Sequence, residues 1–166
     1  MNREQEFLAK IEQHKGVIYK VSRMYMDQPD DQEDLFQEIV LQLWKSYDNF
    51  RGDSQFSTWM YRVAINTAMV FFKKERSRKQ HYSDNKEPEL AAEEYNPVKE
   101  SQLDYFYRAV QELNAVEKAL IFFFLQGQSH KEIAANLGLT EGNARVKLNR
   151  TKEKLQQIIK DKGYEF

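Results

Sequence analysis

The chain is 166 residues long, carries a formal net charge of −1 and contains no cysteine. Disulfides and thiolate metal sites are thereby excluded, and a cysteine-free chain suits a reducing cytoplasm, the expected location. No run is apolar enough to span a membrane, and the opening residues MNREQEFLAK lack the apolar centre of a signal peptide, so no membrane insertion is expected.

The near-zero charge hides a block structure. Residues 1–50 and 82–129 are net acidic, whereas 51–81 and 130–166 are net basic. Two basic blocks separated by acidic ones predict two separate contacts with a polyanion.

Apolar residues recur at helical spacing almost throughout and no alternating strand pattern appears, so the fold expected is all-α. The first helix spans about Glu4 to Met26 on Phe7, Ile11, Val17, Ile18 and Val21, and the polar run Asp27–Asp31 with Pro29 ends it. The second runs from about Gln32 to Tyr47 with Leu35, Phe36, Ile39, Val40 and Leu43 inward. Its other face holds Asp34, Gln37, Glu38, Leu41, Gln42 and Lys45, where an apolar leucine sits among acids. A lone exposed leucine carries no weight by itself.

The third helix runs from about Ser54 to Lys79 after the turn Asn49–Asp53, with Phe56, Met60, Val63, Thr67, Val70 and Phe71 read as its core side. Thr58, Arg62, Asn66 and Lys73 form a polar stripe opposite, bordered by Trp59 and Tyr61 and trailed by Lys74, Arg76, Arg78 and Lys79. Cations beside rings suit single-stranded nucleic acid, because bases stack on aromatic faces while ammonium and guanidinium groups meet phosphates. A core helix with buried rings and a merely solvated tail explains the same pattern.

Residues 82–101 are acidic, contain Pro88 and Pro97, and hold almost no bulky aliphatics, so they are read as a flexible linker. Four helices are expected beyond it, over about 102–113, 115–126, 129–137 and 141–161. The second of these carries the run Ala119–Leu125, apolar almost all round, which requires either full burial or a partner protein.

Ser129 and Glu132 have capping-box spacing, Gly138 supplies a left-handed stop, and Thr140 caps the next helix. Helix, glycine turn and capped helix make a helix-turn-helix. On its second helix Ala144, Leu148, Thr151 and Leu155 turn inward, while Gly142, Asn143, Val146, Asn149 and Arg150 face outward towards base edges. Arg145, Lys147 and Lys152 flank that face and suit phosphates. A solvated basic helix in a three-helix bundle is the plain alternative.

Asp34–Glu38, Trp44, Asp48–Gly52 and Phe56–Asn66 together closely resemble the second conserved region of bacterial sigma factors. Gly127–Ser129, Glu132–Ala134, Leu137–Thr140 and Gly142–Leu148 resemble their fourth region. Order and spacing are similar to the extracytoplasmic-function (ECF) group of the sigma-70 family. That resemblance implies a region 2 domain over residues 1–81, a linker over 82–101 and a region 4 domain over 102–166.

It also implies a transcription initiation factor that binds core RNA polymerase, recognises the −35 and −10 promoter elements and promotes strand opening. Asp34, Gln37, Glu38 and Leu41 would dock on the polymerase clamp coiled coil. Asn49, Phe50, Arg51 and Ser54 would hold a flipped −10 base, a step that costs unstacking energy. Thr58, Trp59, Arg62, Asn66, Lys73, Lys74 and Arg76 would bind the parted strand. Thr140, Asn143, Arg145, Val146, Lys147, Asn149 and Arg150 would read the −35 duplex. Leu120, Phe123 and Phe124 would lie at the polymerase flap. The group commonly adds an anti-sigma factor, of which the sequence itself shows no sign.

The sequence departs from the primary sigma factors in one respect that bears on activity. Arg62 and Val63 stand near the place of their paired tryptophans, which implies weaker melting and stricter promoter choice. Ala144 and Val146 also differ from the common recognition-helix residues, so no promoter consensus follows.

Two other functions are weighed. A helix-turn-helix regulator that works without being a polymerase subunit explains residues 129–155 but not Asp34–Glu38 or Phe56–Asn66. An enzyme is not expected: His14, His81 and His130 lie in three separate segments, and no metal-ligand spacing, nucleophile elbow or phosphate-binding glycine loop appears. No catalytic residue, metal or cofactor is assigned.

Overall fold

The chain opens with α1 (Arg3–Tyr25) and α2 (Pro29–Ser46), followed by a single 3-10 turn (Tyr47–Asn49) and the long α3 (Phe56–Tyr82). Then come α4 (Gln102–Val110), α5 (Ala115–Leu125), α6 (His130–Leu137) and α7 (Glu141–Asp161). This computed structural model describes residues 2–50, 52, 55–82 and 102–164, with backbone alone at 81 and 82. Within those residues the fold is all-helical, as expected. The expected linker, Tyr82 apart, lies outside the described residues, as do Arg51 and Ser54.

Helix ends follow local chemistry. Asn2 and Gln5 close a capping box on α1, Asn114 and Glu117 one on α5, and Ser129 and Glu132 one on α6. In each, the cap side chain accepts from an N–H that the first turn leaves unpaired, and the side chain three residues on accepts from the N–H of the cap residue. Several expected boundaries shift, the first at α2, which starts at Pro29, not Gln32. Proline at the first helical position forgoes an N–H that would bond to nothing there, and Asp30 and Asp31 suit the positive end of the helix. The residue read as a breaker is a starter. Likewise α4 stops at Val110 rather than 113, and α3 continues to Tyr82.

The amino-terminal helices pack around Ile18, Val21 and Met24 of α1, Leu35, Ile39 and Leu43 of α2, and Met60, Ala64, Ile65 and Ala68 of α3, all fully buried. The expected stripe on α3 is therefore partly corrected. Met60 holds its place and Val70 is exposed, while small Ala64 and Ala68 let α1 and α2 approach closely. In the carboxy-terminal helices, Ile133 and Ala134 of α6 face Ala144 and Leu148 of α7 across the turn at Gly138, whose φ of +67° only glycine adopts without strain.

α5 joins the two halves. It packs on α6 and α7, and also on α1 and α3. Phe122 is fully buried and meets Tyr61 of α3 edge to face, with ring centroids 5.6 Å apart. A helix apolar on nearly every side is thus covered within one chain, except at Val116, Phe124 and Leu125.

Polar groups finish the joint. A helix ends with carbonyls that have no partner of their own. Those of α1 are met from the other half: Gln111 Nε2 donates to Arg23 O at 2.8 Å, and Lys118 Nζ donates to Met24 O at 3.0 Å. Lys118 also donates to Val110 O at 2.7 Å and lies 5.4 Å from the centre of the Phe72 ring. Its positive charge faces the negative end of α1. Tyr25 OH donates to Ala115 O at 2.8 Å, and Arg23 pairs with Asp104.

Burial pushes the Lys118 ammonium down from 10.5 to about 8, against the opposing attraction of Asp27 and Glu117. Between those two values the unfolded chain binds a proton that the folded chain does not, so stability rises with pH there. The thermal midpoint should climb between pH 8 and 10, by about 1 kcal/mol of stability per pH unit in mid-window. Lys118→Met should flatten that rise, measured by calorimetry across the range; an unchanged slope would show that another group titrates.

Candidate nucleic-acid interface

The second helix of the helix-turn-helix, α7, presents one polar face to solvent. Thr140 caps it, with the Asn143 N–H donating to its Oγ1 at 3.1 Å. Ala144, Leu148, Thr151 and Leu155 are buried, while Asn143, Arg145, Val146, Lys147, Asn149 and Arg150 are exposed. Thr151 keeps its buried hydroxyl satisfied on Lys147 O at 2.7 Å. Arg145 is held in place by Glu141 and His130 at 3.4 Å each, whereas Lys147 and Arg150 have no ion-pair partner among the described residues. Exposed, unneutralised cations beside Asn143 and Asn149 suit phosphates and base edges respectively.

A second face lies on α3. Arg62, Asn66, Lys73, Lys74 and Arg76 are exposed, and Thr58 is half-buried. Asn66 and Lys74 border a groove between α2 and α3 that Glu38 and Gln42 line from the other side. Two residue sets read separately in the sequence, the α2 acids and the α3 stripe, therefore share an edge.

Trp59 and Phe50 stand differently from the rest of the stripe. Their rings belong to a cluster, with Phe50 5.2 Å from Trp59 and 5.7 Å from Phe56, and with Tyr47 6.5 Å from Phe56. Asn49 is exposed beside it. Phe50 and Phe56 flank the turn that holds Gly52, so their contact pins both sides of that turn. Lys10 of α1 places its ammonium 5.1 Å over Phe56 and 5.5 Å over Phe50, a cation–π contact the sequence reading missed. Only its position one turn after Phe7 on α1 hinted at it.

Elsewhere, α2 exposes Asp34, Gln37 and Leu41, with Glu38 half-buried and accepting from Gln42 Nε2 at 3.0 Å. Leu41 is joined by exposed Trp44 and by Leu8 of α1 in one apolar groove, so the lone leucine of the sequence has company. The α5 residues divide. Leu120 and Phe123 are each 1% exposed and, in this arrangement, face the interior. Phe124 is 42% exposed, with the Lys152 ammonium 3.7 Å over its ring.

Comparison with known proteins gives consistent likenesses. Residues 11–78 match the Sigma-70 region 2 family and residues 103–155 the Sigma-70, region 4 family. The ECF RNA polymerase sigma-E factor of Escherichia coli (strain K12) is 28% identical over 146 residues, covering 78% of this chain and 76% of that protein. Among solved structures, the sigma factor RpoE from Bartonella quintana, in complex with the anti-sigma factor NepR, aligns with a TM-score of 0.71 at 21% identity, over 94% of this chain and 98% of that one. CnrH, in complex with the cytosolic domain of CnrY, aligns at 0.65 and 17% identity, over 96% and 91%.

Each phosphate contact adds about 0.9 to the slope of log affinity against log salt. Lys147→Ala should therefore lower that slope by about 0.9 in duplex-DNA binding titrations of the chain at low salt. Lys154→Ala should leave it unchanged, because Lys154 is spent on Glu117 at 2.9 Å. Equal losses would place the duplex elsewhere.

Proposed function

The chain belongs to the sigma-70 family of transcription initiation factors, in its ECF group, and on that premise we propose that it joins core RNA polymerase and opens promoter DNA with two separate grips. The observation that carries this reading is the pair of exposed cationic faces on α3 and α7, which differ in chemistry as single strand and duplex differ.

Residues 1–81 form the region 2 domain. Asp34, Gln37, Glu38 and Leu41 dock on the clamp coiled coil of the polymerase, where acids and a leucine suit a partner both basic and apolar. The turn 49–55, with Asn49 exposed and Phe50 and Trp59 supporting it from the ring cluster, receives a base flipped from the −10 element. Thr58, Arg62, Asn66, Lys73, Lys74 and Arg76 bind the parted strand, whose charge the cations meet.

Residues 102–166 form the region 4 domain. α7 lies in the major groove of the −35 element, with Asn143, Val146, Asn149 and Arg150 towards base edges and Arg145 and Lys147 towards phosphates. Thr140 orients the helix through its cap. Of Leu120, Phe123 and Phe124 on α5, Phe124 is the one open to the polymerase flap in this arrangement. An anti-sigma factor is a further partner, as for the Bartonella quintana protein. No catalysis enters this role, and among the described residues no helix is long and apolar enough to cross a membrane.

Mixed with bacterial core polymerase, the chain should start transcription at a specific promoter where core alone does not. Arg150→Ala should weaken −35 binding by ~2 kcal/mol, read by footprinting of the upstream element. Asn66→Ala removes about one hydrogen bond, so it should lower the open fraction about fivefold, read by 2-aminopurine fluorescence, with upstream binding intact. Equal loss of both steps in both variants would sink this division of labour.

A further inference from the structure

α1 does more than fill the core. One row of its side chains, Arg3, Phe7, Lys10 and His14 at helical spacing, faces the rings on either side of the turn before α3. Phe7 meets Tyr47 at 5.2 Å and His14 meets Phe56 at 5.4 Å. Arg3 lies 5.1 Å over the Tyr47 ring and pairs with Asp48. Lys10 stands in the middle of the row, its ammonium 5.8 Å over Tyr47, 5.5 Å over Phe50 and 5.1 Å over Phe56. One cation thus gathers three rings, Tyr47 and Phe50 on the near side of Gly52 and Phe56 on the far side.

A charge suits this place. Ring faces are electron-rich, so an ammonium among them favours the ring orientations that turn a face towards it, as an apolar side chain of the same length would not. The turn itself offers little to hold it, since Gly52 has open space where a Cβ would stand. On its other side the Lys10 ammonium lies 3.9 Å from the Glu6 carboxylate, and its side chain is 31% exposed. A cation already matched by a carboxylate and three rings has less to give a phosphate than the exposed Lys73 and Lys74.

We infer that Lys10 is a positioning residue for the flipped base: it touches no DNA, and it holds Phe50 and Phe56 so that Asn49 and Gly52 meet the base in a preformed arrangement. The inference rests on the proposed reading of that turn as the receiver of a −10 base. A turn set before the base arrives loses less freedom on binding, so the hold shows as affinity for the base itself. Affinity for the rest of the strand, met by the α3 cations, does not depend on it.

Holoenzyme made with the full chain can be titrated with the single −10 strand of the promoter at which it starts, intact and made abasic at each −10 position in turn. The parent should lose most affinity at one position, that of the flipped base. Lys10→Met keeps the length and removes the charge. It should shrink the loss at that position about fivefold, with affinity for core and for the abasic strand unchanged. Lys10→Gln should do the same, whereas Lys10→Arg, whose guanidinium also lies on ring faces, should behave as the parent. A role in packing alone would not separate these variants by charge. A parent-like Lys10→Met, or a Lys10→Arg that fails with it, would overturn the inference. So would equal weakening on intact and abasic strands with a salt slope smaller by about 0.7, the mark of a phosphate contact. A parent that binds every abasic strand as well as the intact one would instead overturn the reading of the turn as a base receiver, and this role of Lys10 with it.

Discussion

The carboxyl end of α1 cannot satisfy its own carbonyls, and in this chain the donors come from 88 and 94 residues further on. That debt, met by Gln111 and Lys118, fixes where α4 and α5 lie against the first three helices. Once it is met, Phe122 has only one place to go, between α7 behind it and Tyr61 ahead. Removing an ammonium from water is costly, and Lys118 is the only fully buried charged side chain among the described residues. Two carbonyl acceptors, a helix end and an aromatic ring make that cost bearable.

Much of the local structure was legible in the sequence because it rests on neighbours a few residues apart. The capping box at Ser129, the stop at Gly138, the cap at Thr140 and the inward face of α7 all follow from spacing alone. Pro29 was misread because proline both ends and begins helices, and only the packing of Leu35 and Ile39 fixes which. The core of α3 was blurred for another reason: Ala64 and Ala68 are weakly apolar, and what makes them core is the closeness of α1 and α2. The capping of α1 by Lys118 was not legible at all. Nothing within ten residues of either partner announces a contact across ninety. The all-round apolarity of α5 did announce that something must cover it, without saying that the cover is the same chain.

The two cationic faces are built to different standards of rigidity. On α7 the outward residues stand on a helix fixed by its cap and by four buried positions at helical spacing, as suits reading a rigid groove. On α3 the stripe runs along a helix whose start is stapled by the ring cluster and whose later turns, from Lys73 onward, are mostly exposed. A deformable strand needs cations in sequence more than a rigid template, and α3 offers them in that form.

The ring cluster at the start of α3 has a spectroscopic consequence. The chain has two tryptophans, Trp44 and Trp59, and both touch Tyr47, at 6.5 Å and 6.4 Å. α4 to α7 contain none. Intrinsic indole emission therefore watches one corner of the molecule, the corner beside Asn49 and Phe50, and is silent about the helix-turn-helix. Any reagent that quenches or shifts it without unfolding the chain has acted on the first three helices, at the turn beside Trp59 or in the Leu41 groove that Trp44 lines.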